Sequence, residues 1–260
     1  MNLLLKLFSP FKKLSSAEKW IGTLIILVLI LSIWSMSGSK YIPTPMEIVK
    51  AFPRLLDGKD LVGNFLKSLG FCFKAIGYSI IIALTLCYMS VLPIFRTFCE
   101  FLRKFRFLPS AGLSFLFLKI GGGYVDNQML YLMIWGVTTW LADSMIGIAL
   151  SITDDEIMYA RSLRLSRWQA MREVLIKGKA ADIFNAIISN FAMAWLLLAT
   201  IENIAKASGG IGVVLAESNK YYKFEEVYAI QVLILLTGIA IDYLLRTLRG
   251  LVLPYTSLKN

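Results

Sequence analysis

The sequence contains no histidine, which removes the commonest general base and the commonest metal ligand. A serine–histidine hydrolase and a histidine-ligated zinc are both excluded. Cysteine is scarce: Cys72, Cys87 and Cys99 are scattered, unpaired in spacing and set in or near apolar segments, so neither a disulfide framework nor a metal site is indicated. No Gly-x-x-x-x-Gly-Lys-Ser/Thr run occurs, so any ATP that drives this chain must be bound by another polypeptide. Acidic residues number 17 against 27 lysines and arginines and form no cluster. An integral membrane enzyme therefore ranks last among the functional classes, and no cofactor is expected.

What is abundant is apolar surface. Of the 260 residues 57% are hydrophobic and the mean hydropathy is +0.68, which moves the chain from the soluble class to integral membrane proteins. A net charge of +10 would suit a nucleic-acid binder, yet the basic residues lie between apolar segments rather than along one soluble face. Membrane topology explains them, and no nucleic-acid partner is expected.

Six apolar stretches predict an all-α, polytopic membrane protein occupying residues 1–260 as a single domain. The first runs from Trp20 to Met36 behind Lys6, Lys12, Lys13 and Lys19. These lysines and the small residues Ser35, Ser37 and Gly38 also suit a signal peptide; the long leader and Trp34 as an interfacial anchor favour a first span. Residues 68–92 form a second span, interrupted by Lys74, with Ala75, Ser79 and Ala83 as a small-residue packing row. A third runs from Leu108 to Ile120, its start blurred by Arg96, Arg103, Lys104 and Arg106, and ends at the turn Gly121–Gly123. Residues 129–152, 183–204 and 227–248 are the fourth to sixth; Ala186, Asn190 and Ala194 repeat the small-residue spacing. Between the first two, Pro43 and Pro45 lead into an amphipathic piece in which Ile48, Val49, Phe52, Leu55 and Leu56 share a face.

With the N-terminus inside, 17 lysines and arginines fall on the side of the basic segment 154–182 and nine on the other. That segment is thereby assigned to the cytoplasm. It is a charged island in which Ile157, Ala160, Leu163 and Trp168 recur at helical spacing, with Asp154 and Asp155 at the N-cap and first turn.

The run YARSLRLSRWQAMREV within it resembles the EAA loop of ABC-importer permeases, close to EAARxLGAxxWQxFxxVxLP. Ala160, Arg161, Leu163, Ser166, Arg167, Trp168, Gln169 and Val174 fall on matching positions. Met158 and Tyr159 depart from Glu and Ala, Arg164 from Gly and Lys177 from Pro, with Glu156 two residues upstream as a substitute carboxylate. FLPSAGLSFLFLKIGGG resembles a second family segment through Pro109, Ala111 and Gly121; Trp195, Glu202 and the SGGIG of 208–212 resemble the W, E and GLG of the fifth helix; Asp242, Arg246 and Pro254 match the ending of the sixth. The YIPTP of 41–45 is similar to a run in permeases of the nitrate, sulfonate and taurine type.

The resemblance implies a type I ABC-importer permease fold in a bacterial inner membrane. It implies an ATPase subunit, a second permease copy or a homologous permease, and an external solute-binding protein as partners, in contact with membrane lipid. It also implies that 154–182 holds a coupling helix: Ala160 and Leu163 would enter the ATPase cleft, Glu156 and Arg161 would pair at its rim, Arg164 would stand beside them, and Trp168 would mark the membrane boundary. Arg103 and Arg106 either draw an anion into the pathway or snorkel to headgroups. Lys74, Asp143, Asn190, Glu202 and Asp242 are expected inside the bundle, as functional or paired structural groups, with Glu202 the leading pathway candidate. The competing classes are an ion-coupled secondary transporter and a structural membrane subunit of a larger complex.

Overall fold

Small side chains at every third or fourth position decide how the long helices meet. In the computed structural model, which describes residues 15–35, 42–206 and 209–253, the chain forms α1 (Ser16–Ser35), α2 (Pro45–Gly58), α3 (Leu61–Met89), α4 (Pro93–Arg103), α5 (Ser114–Ile120), α6 (Val125–Leu150), α7 (Asp154–Ser162), α8 (Arg167–Met171), α9 (Ala180–Ile204), α10 (Ile211–Lys220) and α11 (Phe224–Val252). No strand occurs among the described residues. Lys6, Lys12, Lys13, Ser37, Gly38, Tyr41, Ser208 and Pro254 lie outside them.

On α3, Ser68, Cys72, Ala75, Ser79, Ala83 and Cys87 are all 0% exposed. From Cys72 to Cys87 they form one continuous seam against α6, closer than bulkier residues would allow. Two of them bind the facing backbone directly: Ser79 Oγ donates to the Ile134 carbonyl and Cys87 Sγ to that of Met145. The same logic places α9, where Ala186, Asn190 and Ala194 are buried and Asn190 donates to Ser144 Oγ of α6 at 3.1 Å. The Trp195 indole donates to the Ile234 carbonyl of α11.

Helix α2 is amphipathic for the reason its sequence suggests. Thr44 and Glu47 form a reciprocal capping box with Pro45 at the first helical position. The buried face is Ile48, Ala51 and Leu55, set against Leu61, Ile211, Val214, Ala229 and Ile230. Val49 and Leu56, expected on that face, are exposed; the face follows the 48, 51, 55 line and leaves them beside it.

Four helices are long and apolar enough to cross a bilayer: Leu61–Met89, Val125–Leu150, Ala180–Ile204 and Phe224–Val252. Trp20–Ser35 and Ser110–Ile120 are shorter apolar helices. Four of the six expected spans are thus long apolar helices among the described residues. The third is not one rod. Pro93 starts α4, a tight turn at Lys104–Phe107 ends it, and Pro109 leads into a second tight turn at Ser110–Leu113 before α5. This broken segment still carries the chain from one end of the bundle to the other: Cys99 binds the Leu86 carbonyl, Phe105 and Phe117 both pack on Trp135, and Gln128 donates to the Ser114 carbonyl. Irregular backbone at that depth is tolerable because it is laid against α6.

Apolar side chains cover the outside as well. Leu24, Leu29 and Ile33 of α1 and Leu235, Ile239 and Leu244 of α11 are more than half exposed, an arrangement suited to lipid rather than water.

Candidate functional site

The basic segment is two short helices joined by a sharp turn. Thr153 caps α7: its hydroxyl accepts from the Glu156 N–H while the Glu156 carboxylate accepts from the Thr153 N–H at 3.0 Å. Ser166 and Gln169 repeat that box at the start of α8. The expected single helical run therefore breaks between Leu163 and Ser166, because the second capping box starts a new helix. At the break the Arg164 N–H reaches the Arg161 carbonyl and the Leu165 N–H the Ala160 carbonyl, the paired bonds of a Schellman turn. Arg164 holds φ +58, the left-handed conformation that favours glycine. This is the position where the family pattern has Gly.

Beyond α8, Arg172–Gly178 is a wider, π-helical stretch, which lets the chain change direction without the proline that Lys177 replaces. Leu175 within it is fully buried against Cys87, Leu141, Met145 and Ile183. The segment is held a second time by Lys179, whose ammonium lies 2.9 Å from Glu156 Oε1. Lys179 and the Thr153 N–H together hold the Glu156 carboxyl below its ordinary value.

These contacts revise two expected roles. Glu156 pairs with Lys179 rather than Arg161, because α7 folds back over the π-helical stretch. Ala160 is 2% exposed; covered by the chain itself, it offers no surface to a partner's cleft. Tyr159, Leu163 and Trp168 are instead 69%, 57% and 69% exposed, an apolar and aromatic knob, and Arg161 and Arg164 are exposed beside it. Leu175 and Lys179 were missed in the sequence; the only available signal was an apolar residue in a basic run.

The intramembrane polar groups are mostly partnered. Asp143 accepts from Arg103 Nε at 2.7 Å and from Arg106 Nη1, so the two arginines share one carboxylate and leave a surplus positive charge. Asp242 pairs with Arg246 one turn along α11. Lys74, expected inside, is exposed on α3, since the small-residue seam occupies the opposite face.

Glu202 is 0% exposed and belongs to a latch of three elements. Ser68 Oγ of α3 donates to Glu202 Oε1 at 2.5 Å and accepts from the Ile211 N–H at 2.8 Å. The Gly212 N–H donates to Glu202 Oε2 at 2.6 Å, and the Gly210 N–H to Asn64 Oδ1. The carboxylate thus sits at the positive end of α10. Gly210 has φ +113, and a Cβ there would overlap the carboxylate; one at Gly212 would lie 2.6 Å from the Ala199 carbonyl oxygen. The SGGIG turn is glycine-rich because two backbones and a carboxylate meet in it. A solute-contacting role for Glu202 would need an accessible carboxylate, and this one is enclosed. Nearby, Lys59 joins α2 to Glu226 at 3.1 Å and to Ser218 at 3.0 Å, a network sequence reading also missed.

No group of three or more potential metal-ligating side chains occurs among the described residues. No curated protein matches the chain. Residues 61–256 match the family described as binding-protein-dependent transport system inner membrane component. Among solved structures, the chain is similar to one titled "Crystal structure of an amino acid ABC transporter with histidines", at 16% identity and a TM-score of 0.58, covering 79% of this chain and 95% of that one. At that identity the likeness speaks for the fold.

Proposed function

Because the chain belongs to the family of binding-protein-dependent transport system inner membrane components, we propose that it forms the translocation pathway of an ATP-driven importer and is moved through its Thr153–Met171 turn. It is a membrane-embedded permease subunit of an ABC importer and not an enzyme; nucleotide hydrolysis belongs to a separate ATPase subunit. The partners are that ATPase, a second permease copy or a homologous permease, and an external binding protein that delivers the solute. The four long helices, α1 and the broken return at 93–120 make six crossings of a bacterial inner membrane, with the N-terminus and the basic segment in the cytoplasm. The lysine and arginine bias supports that orientation.

The observation that carries the coupling role is the rigidity of the turn. Two capping boxes, the Glu156–Lys179 pair and buried Leu175 fix it to the bundle, while Tyr159, Leu163 and Trp168 project from it. A knob that cannot bend on its own transmits closure of the ATPases to the helices behind it. The solute is a small acid-bearing molecule. The YIPTP run supports the nitrate, sulfonate or taurine class, and the amino acid transporter among similar structures also carries a solute with an acid group. The pathway role first expected of Glu202 finds no support in its geometry, because its carboxylate is enclosed; Arg103 and Arg106 share Asp143 and keep a surplus positive charge.

Co-purification of the chain with its tagged ATPase tests the docking. Leu163→Asp and Arg164→Glu, which touch only exposed side chains, lower recovery of the ATPase at least about tenfold, as expected for central interface residues. Full recovery with both variants would end the coupling proposal.

A further inference from the structure

The outer faces of the spanning helices are not alike. On α11 the exposed side from Leu235 to Leu244 is Leu235, Leu236, Ile239, Ala240, Tyr243 and Leu244, and on α1 every exposed residue from Leu24 to Leu31 is aliphatic. Both suit acyl chains. On α9, half-buried Asn185 and exposed Ser189, Leu196, Thr200 and Asn203 recur at spacings of four, seven, four and three, so they fall on one line along the helix. From Asn185 to Asn203 that line is about 27 Å long, most of the roughly 30 Å of a hydrocarbon core. It is polar at both ends and interrupted at mid-height by Leu196, with Met193 beside it.

The polar groups on this line also lack partners. Where Ser32, Thr85 and Thr247 are exposed on α1, α3 and α11, each hydroxyl donates to the carbonyl four residues back in its own helix, the bond it makes where no water reaches it. Ser189 and Thr200 make no such bond, and no described residue hydrogen-bonds to the side chains of Asn185, Ser189, Thr200 or Asn203. Set against lipid, each would carry the cost of an unmade hydrogen bond; set against water or a polar solute, each is satisfied. A groove adjoins the line at mid-height, where Gly136 and Trp140 of α6 meet Asn190, Met193 and Leu197 of α9, and Trp140 is 43% exposed. Between Asp182 and Lys206 the one charged residue of α9 is Glu202, and it is enclosed.

We propose that this side of α9 is a wall along which the solute crosses, and that it handles the solute with neutral hydroxyl and amide groups. Asn185 and Ser189 line its cytoplasmic half, Thr200 and Asn203 its external half, and Met193 and Leu196 form an apolar narrow between them. Polar side chains inside a span face a bundle interior or a water-filled space rather than lipid. Neutral donors and acceptors hold a small polar solute, the oxygens of an acid group included, without the deep trap that a fixed opposite charge sets in a low-dielectric site; the solute leaves as readily as it enters. Such a wall rests on the reading of the chain as a permease, but not on the docking of an ATPase to its Thr153–Met171 turn.

Single cysteines in the full chain, embedded with its partner subunits in lipid nanodiscs, test the wall with a charged, membrane-impermeant thiol reagent, trimethylammonium-ethyl methanethiosulfonate. The reagent attacks thiolates, which form in water and not among acyl chains. Ser189→Cys and Thr200→Cys, both close in size to the native residue, react at least about tenfold faster than Leu235→Cys and Ile239→Cys on the lipid side of α11. The native Cys72, Cys87 and Cys99 are buried and stay silent. Rates at 189 and 200 no higher than those on α11 would overturn the proposal. So would disulfide-linked dimers through either cysteine without reaction with the reagent, since the face would then be packed against a second copy. Recovery of the tagged ATPase is measured on the same samples: a wild-type chain that recovers none loses the coupling role, whereas silent cysteines in a chain that recovers it remove the wall alone.

Discussion

Replacing Ser68 with alanine removes one oxygen atom and disturbs three helices at once. The hydroxyl donates to Glu202 and accepts from the Ile211 N–H, and all three groups are enclosed at 0–1% exposure. The variant leaves a buried carboxylate short of a donor and a buried N–H without an acceptor. Each such loss is worth about 1–3 kcal/mol in a protein interior, and interhelical hydrogen bonds in membranes fall at the low end of that range. A total of about 2 kcal/mol is expected, equivalent to a fall of about 4–8 °C in melting temperature for a chain of this size. Glu202→Gln is milder, about half that loss, because an amide can still accept from Gly212 and donate to the Ser68 oxygen. The molecule carries its own reporter: Cys72, Cys87 and Cys99 are free and buried, so a thiol-reactive fluorophore added during heating reads the opening of the bundle. Cys72, one turn from Ser68, should react first. A Ser68→Ala melting temperature within about 1 °C of wild type, or a Glu202→Gln loss larger than that of Ser68→Ala, would refute the latch.

Two other perturbations concern the basic segment. Arg164→Gly relieves a left-handed conformation that costs an L-residue about 1–2 kcal/mol, partly offset by the greater freedom of glycine when unfolded; slower amide exchange across Leu163–Ser166 is the expected result, and faster exchange in Arg164→Val. The Glu156 carboxyl, held low by Lys179, contributes stability that is fully present above the unfolded carboxylate value, about 4.3, and is lost as pH falls through the lower folded value; exchange at Thr153–Glu156 should rise below about pH 4, and Lys179→Met should flatten that rise.

The glycine of the family pattern and the arginine found there illustrate how local information is read. The turn at 163–166 follows from Thr153, Glu156, Ser166 and Gln169, all within a few residues of the groups they bind. Two capping boxes are visible in a string of letters, but the sequence reading followed the apolar spacing through them and drew one helix. The start of the broken return at 93–120 stayed blurred for a related reason. Apolar composition reports that a stretch avoids water; it does not report that Pro93, Pro109 and two arginines bound to α6 prevent a continuous helix.

The amino-acid sequence alone determined the class: long apolar runs, the position of the basic island, the small-residue rows that become the α3 and α9 packing faces, and the likeness to a permease family. These are properties of adjacent residues or of a helical period, and they survive without knowledge of the fold. Only the tertiary structure decided the partners. Ser68 meets Glu202 across 134 positions, Arg103 meets Asp143 across 40, and Lys179 meets Glu156 across 23. It also decided that Ala160 is covered while Tyr159, Leu163 and Trp168 project. Hydrogen bonds and ion pairs act over a few ångströms of space, and which distant residues share that space depends on how all the helices pack together.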